Sequence, residues 1–311
     1  MKQLKGSARA LCTMVGLALT GWALVACTGD AGGGKTADTI KVDAEHPFSI
    51  FLGEDISLVD YAQQKIRNQC LKQAGYPQDL QAMLPKPPNE FAHLVITPAT
   101  FGPTTDEEAR RIGFGTDQPP QPPAVVSNDP NYDKAMDTCS KEAWDKLGKA
   151  SEKLYFAYFD LGNKLSEPLM TTIQARSDPQ TGSKLLGCLE PKGYHPADEQ
   201  AFRKHPDPRT FGIKFGAVVQ GSEQQWQPQN RPGTVEVGPP VPERRYQASA
   251  EEGALAVAWR HCRQDTGLAA ETLRVARDVQ ADLVQRNEDA FIELNPQVEA
   301  MAKRSAELVG R

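Results

Sequence analysis

The chain has 311 residues, a formal net charge of −5 and a mean hydropathy of −0.51. Acid in excess over base excludes the electrostatic footprint of a nucleic-acid binder. The length allows one large core or two modest ones.

Lys2, Lys5 and Arg9 come first, with no acid among them, followed by an apolar run from Ala10 to Ala26 that ends at Leu24-Val25-Ala26-Cys27. This pattern predicts a signal peptide over residues 1–26: the charge stays inside, the apolar stretch enters the bilayer and the small residues fit a peptidase pocket. Retained as an anchor, the run would be short against the about 20 apolar residues that span a bilayer. Cys27 directly after Leu-Val-Ala resembles the lipobox of bacterial lipoproteins. The resemblance implies acylation of Cys27, which becomes the new N-terminus and holds the chain on the extracytoplasmic face of the cell membrane. One acyl chain binds only marginally; the diacylglyceryl group of that pattern supplies two.

Apart from Cys12 in the signal and Cys27, four cysteines remain: Cys70, Cys139, Cys188 and Cys262. An even number in an exported chain predicts two disulfides. No pair has the close spacing of a thiolate zinc site, so no metal and no cofactor is assigned.

Residues 27–50 read as lipid anchor and tether, rich in Gly, Thr, Asp, Ala and Lys. A flexible stretch of about 20 residues reaches roughly 25 Å. A helix begins near Glu54-Asp55, with Val59, Ala62, Ile66 and Cys70 on one face, Asp55 as its cap and Gly75 at its close. Residues 77–130 are proline-rich, with a short strand at 91–96 and a short helix opened by Thr105 and Glu108 as a capping box. The tract 119–123 runs extended. Asp129-Pro130 opens a long amphipathic segment through Cys139, Leu147, Leu154 and Leu165, as one helix or as two broken near Gly148, with Pro168 interrupting. Asp178-Pro179 opens a helix with Leu185, Cys188 and Leu189. Short strands are expected at 213–219 and 234–237. Ser249 with Glu252 makes a second capping box before Leu255, Trp259 and Cys262, and the last segment repeats the long-helix pattern to Leu308, kinked or restarted at Asn295-Pro296.

The two cysteine regions follow one design. Cys70-Leu71-Lys72-Gln73-Ala74-Gly75-Tyr76 matches Cys188-Leu189-Glu190-Pro191-Lys192-Gly193-Tyr194. Each is followed by a proline-rich excursion with Phe-Gly pairs (Phe101-Gly102 and Phe114-Gly115; Phe211-Gly212 and Phe215-Gly216), then by a helix with the second cysteine and a long helix. Near-equal spans favour Cys70–Cys139 and Cys188–Cys262 over the other two connectivities. The helix end Cys188 to Tyr194, Phe211-Gly212 and the run Ala256 to Gly267 resemble a group of actinobacterial secreted proteins and lipoproteins of uncharacterised function. The resemblance covers most of the mature chain and brings no catalytic residue.

The fold class is therefore mainly α: two disulfide-stapled helical units with proline-rich loops and minor β, joined by two long amphipathic helices packed antiparallel. These form one helical domain over 51–311 with an internal repeat, 51–165 and 166–311.

Chemistry is sparse. His46, His93, His195, His205 and His261 contain no i, i+4 metal pair, and His261 beside Cys262 points about 100° away on a helix. Gly29 to Thr36 spells a phosphate loop, but without a strand before it or a helix after it the stretch is tether. Trp226, in a polar loop, is a candidate contact for a sugar or partner, set against a local packing anchor. The function expected is a lipid-anchored extracytoplasmic binding or accessory protein of the cell envelope, partnering an envelope or transport complex. The alternatives are a cell-wall hydrolase built on two carboxylates and a solute-binding lipoprotein of a transporter.

Overall fold

The computed structural model describes residues 41–85, 89–219, 221 and 226–310, which form a single compact unit. The signal segment, Cys27, the phosphate-loop spelling and most of the expected tether lie outside the described residues. The tether ends sooner than residue 50. A 3-10 turn spans Pro47–Ile50, with Pro47 and Phe48 buried and Val42 packed on the core. The apolar cluster Phe48, Ile50, Phe51 and Leu52 draws this stretch onto the protein.

Helix α1 (Gly53–Gln73) starts at Leu52; Asp55 lies in its first turn and caps nothing. Gly75 (φ +99°) then reverses the chain, and Tyr76 N–H returns to the Leu71 carbonyl at 2.8 Å. After α2 (Gln78–Ala82), the expected strand at 91–96 is instead a 3-10 turn, Ala92–Leu94. Phe91, Leu94 and Ile96 go into the core while Val95 stays 61% exposed, and no strand among the described residues pairs with the segment. Phe91 packs directly against Gly162, where a Cβ would come 2.4 Å from its ring.

Helix α3 (Asp106–Ile112) is capped by Thr105, whose hydroxyl accepts from Glu108 N–H at 3.1 Å; the Glu108 carboxylate returns to Thr104, one residue earlier than the box predicts. Strand β1 (Val125–Ser127) precedes α4 (Pro130–Leu147), which Asp129 caps. Gly148 breaks the long segment, and α5 (Ser151–Ser166) and α6 (Leu169–Arg176) follow. Then come α7 (Thr181–Leu189), α8 (Glu199–Lys204), β2 (Ala217–Val218), β3 (Val235–Val237) and β4 (Tyr246–Gln247). The chain closes with α9 (Ala250–Asp265), α10 (Leu268–Arg286) and α11 (Glu288–Val309).

Strands β1 and β3 pair antiparallel, as do β2 and β4. The proline tract runs extended beside residues 241–244, paired only through Gln118 and Gln121, because prolines have no N–H to give a ladder.

Both disulfides have the favoured connectivity. Cys70–Cys139 ties α1 to α4 and Cys188–Cys262 ties α7 to α9, with Cα atoms 5.6 Å apart in each and loops of 69 and 74 residues. The second helix end repeats the first: Gly193 has φ +90°, and Tyr194 N–H returns to the Leu189 carbonyl at 3.3 Å. One core gathers α1, α4, α5, α6, α10 and α11 around Val59, Leu161, Leu165, Val279 and Val298. A smaller one gathers α7, α8 and α9 around Leu185, Leu189, Phe202, Leu255 and Cys262. The antiparallel long pair is α5 and α11: Tyr158 meets Asn295, and the Lys146 carbonyl, in the last turn of α4 that leads into α5, accepts from Arg304 at 2.8 Å.

Asn295-Pro296 does not restart the last helix; α11 runs through Pro296, and the break falls at Asn287, whose amide bonds back to the Leu283 carbonyl at 2.8 Å. Asn295 is pinned instead. Its carbonyl oxygen accepts from the Tyr158 hydroxyl at 2.9 Å and its amide donates to the Ile50 carbonyl at 2.9 Å. Tyr158, fully buried and stacked on Phe51, also accepts from Leu52 N–H at 2.8 Å. Tyr158→Phe leaves Leu52 N–H and Asn295 each short of one partner, and should lower unfolding stability by about 1–3 kcal/mol; an unchanged urea midpoint would show that this hydroxyl contributes nothing.

Candidate functional site

Two cavities meet where the two cores adjoin, sharing Phe101, Trp259 and Arg263 in their walls. The smaller, about 180 Å³, lies between α9 and the loop after the 3-10 turn Pro98–Phe101. The larger, about 510 Å³, opens among α6, the start of α7, the end of α8 and the start of α10. The volume of the larger cavity and the mainly apolar walls of both are what small-molecule sites present.

Helix α9 supplies the central side chains, because Trp259 and Arg263 stand at i and i+4 and so share a face. Trp259 is half-buried in an edge-to-face cluster, with Phe114 at 5.5 Å and Phe202 at 5.7 Å between ring centroids. Arg263 donates to the Phe101 carbonyl and, at 3.4 Å, to the Thr272 hydroxyl, and its guanidinium lies 6.0 Å from the Phe101 ring centre. Burial pushes this guanidinium below its ordinary value.

The rim is held by ion pairs. Asp106, at the start of α3, accepts from Arg260 Nε at 2.9 Å and from His261 Nε2 at 2.9 Å. The bond from Arg260 chiefly, and that from His261 after it, hold the Asp106 carboxyl below the usual range despite some desolvation. At the other end Asp178 binds Lys184 and accepts from Gln180 N–H at 2.8 Å; the lysine is the larger cause of its lowered value.

One buried acid fixes the wall. Glu252 is completely buried, and its carboxylate accepts from Phe114 N–H at 2.8 Å, Gly216 N–H at 2.7 Å and the Tyr246 hydroxyl at 3.0 Å. The Ser249 hydroxyl accepts from Glu252 N–H at 3.1 Å, so half of the expected capping box is present, while the carboxylate turns inward rather than back to Ser249. Phe114-Gly115 and Phe215-Gly216, one Phe-Gly pair from each excursion, thus converge on one carboxylate. A Cβ on Gly113 would come 2.4 Å from Glu252, and one on Gly115 would come 2.3 Å from the Tyr246 ring.

Cys70, Cys139, Cys188 and Cys262 are all in disulfides, with Cys262 beside the groove on α9, and the bridges are the mark of an oxidising, extracytoplasmic environment. Trp226 lies away from the groove, half-buried against Gly238, where a Cβ would come 2.7 Å from its ring. Its ring packs beside the residue that follows β3. Among the described residues no cluster of metal-ligating side chains occurs, and no helix is long and apolar enough to cross a membrane. The sequence pattern puts Trp259 on the core stripe, shows Glu252 only as half of a capping box and does not single out Arg263. The signal was there: Glu252 falls on the buried stripe with Leu255, Trp259 and Cys262, and an acid on such a stripe has to be bonded within the fold. Comparisons with family models, curated proteins and solved structures returned no match.

Glu252→Ala leaves three donors facing a void and should cost about 3 kcal/mol or more, read as the shift in urea unfolding; a loss near zero would remove the acid from its structural role. Asp106 carries a pH signature. Its folded value is lowered, so the stability it contributes is present above its ordinary 3.8 and is lost as pH falls through the lowered folded value. The wild type should therefore resist urea better than Asp106→Asn at neutral pH, and the gap should close only in acid below that point. A gap independent of pH would show that the carboxylate charge is not what ties α3 to α9.

Proposed function

We propose that this chain is a lipid-anchored extracytoplasmic binding protein of the cell envelope, attached through Cys27 and binding in the groove centred on Trp259 and Arg263. The groove is the observation that carries the reading: a concave, mainly apolar wall with a few polar groups aimed into it. Export and lipid attachment are supported by the charge, apolar run and small residues before Cys27, and by two disulfides in the same chain. The proposal includes membership of the actinobacterial lipoprotein group that the Cys-x-x-x-x-Gly-aromatic units resemble, and delivery to an envelope or transport complex as the accessory role. Hydrolysis is less well supported, since among the described residues the two joined cavities present a single carboxylate, Asp178, and Lys184 already binds it.

An intact-mass spectrum of the membrane fraction under non-reducing conditions tests the reading. The expected species lacks residues 1–26, carries acyl groups on Cys27 and contains two disulfides, and Cys27→Ser moves the protein out of the membrane fraction. Recovery of an unacylated chain with residues 1–26 attached would overturn it.

A further inference from the structure

Most charges around the groove are matched, and the exception inside it is Arg263. Arg260 is paired with Asp106, Arg203 reaches Glu199 at 3.5 Å and Glu190 at 4.0 Å, and Asp178 is taken by Lys184. Arg263, which lines both cavities, faces no carboxylate among the described residues; its partners are a backbone carbonyl and a hydroxyl. A partly buried cation with neutral partners keeps its charge but lacks a counter-charge, and a bound anion would restore it. The guanidinium has more donors than those two partners use, and its planar fork matches a carboxylate or phosphate. Exposed Lys204, on the rim of the larger cavity and in no ion pair among the described residues, adds a second positive charge at the mouth.

The rest of the wall selects against a bare inorganic anion. Phe101, Phe114, Met170, Ile173, Leu185 and Leu268 present apolar surface on both sides of Arg263. Met170, 52% exposed at the edge, is the kind of adaptable side chain that accommodates a flexible chain. A neutral lipid would fill this surface and leave Arg263 unmatched, whereas a free phosphate would match Arg263 and leave the surface wet.

We propose that the groove binds an amphipathic anion, an apolar chain ending in a carboxylate or a phosphate, with the head group on Arg263 and the chain along Trp259, Leu268 and Ile173. This rests on the binding-protein reading and gives that same site its ligand class. A fatty acid and a phosphate-headed lipid share this chemistry.

Titration calorimetry on the full lipidated chain in phosphatidylcholine nanodiscs, with empty nanodiscs subtracted, tests it using four probes: octanoate, octyl phosphate, octanol and inorganic phosphate. At least one of the two chain-bearing anions should bind about tenfold or more tighter than octanol and inorganic phosphate. Preference for octanoate assigns a fatty acid, and preference for octyl phosphate assigns a phosphate-headed lipid. Arg263→Gln should bring the anion down to the octanol level, while Arg263→Lys keeps part of the difference. Gln174→Trp, at an exposed wall position on α6, should weaken the anion with an unchanged melting temperature, which keeps the test decisive if Arg263→Gln fails to fold. Octanol binding as tightly as the anions, inorganic phosphate binding as tightly as either, no binding by any probe, or full affinity in both Arg263→Gln and Gln174→Trp would overturn the proposal. Such results in an acylated, membrane-held protein would sink the ligand class alone; tight anion binding by a chain never acylated would sink the anchor instead.

Discussion

A single buried carboxylate holds the two halves of the chain in register. Glu252 has no exposed surface, and burying a charged group costs several kcal/mol unless hydrogen bonds replace water. Here the donors come from three separate segments: Phe114 from the first excursion, Gly216 from the second and Tyr246 from β4. The cost of burying the acid is therefore offset only when all three segments are in place. That condition fixes the position of α9, and with it Trp259 and Arg263, against the loop that carries Phe101. Glycine is required at this point because backbone N–H groups must come within hydrogen-bond distance of a carboxylate already crowded by Tyr246, and Gly113 adopts φ +55° to do so.

The parts that were legible in the sequence are those set by local rules. Helix periodicity with Asp129-Pro130 before α4, the glycine-closed ends after Cys70 and Cys188, and the near-equal cysteine spans led to the helices and to both disulfides. Where tertiary context decided, local rules gave wrong answers. Residues 91–96 have β-forming composition but no strand to pair with, so they follow the core surface as a 3-10 turn. Strand β1 is three residues after a proline tract and gains its form only from β3, more than a hundred residues later. At Asn295-Pro296 the missing N–H is tolerated because Tyr158 and Ile50 hold Asn295, while Asn287 ends α10 with its own side chain. Glu252 was legible as a cap and invisible as a hub, since nothing near it in sequence names its distant donors.

The likeness of the two cysteine regions extends to backbone geometry, yet the cores do not divide at the boundary between them. Helices α10 and α11 close the core begun by α1, α4 and α5, and Phe114, from the first region, packs with Trp259 in the second. Each disulfide joins helices within its own region, so the bridges stabilise local pairs. The exchange of elements between regions is what turns the two pairs into one compact unit.

That exchange also explains where the groove lies. Of the four passages the chain makes between the two cores, three border the groove: from Phe101 to Phe114, from Ile173 to Leu185, and from Leu268 to Val275. All three crossings leave side chains in the groove wall. The second crossing is made through Asp178-Pro179, and the third begins beside Gly267, whose φ of +74° turns α9 into α10. At a seam of this kind neither core can fill the space, because the side chains on each side are already committed to their own cluster. An apolar hollow with backbone carbonyls at its edge is the result, and a cation placed there meets carbonyl and hydroxyl oxygens before it meets an acid. Arg263 is in that position, next in sequence to Cys262, whose disulfide fixes α9 at this point, so its guanidinium has little freedom to leave the seam in search of a carboxylate.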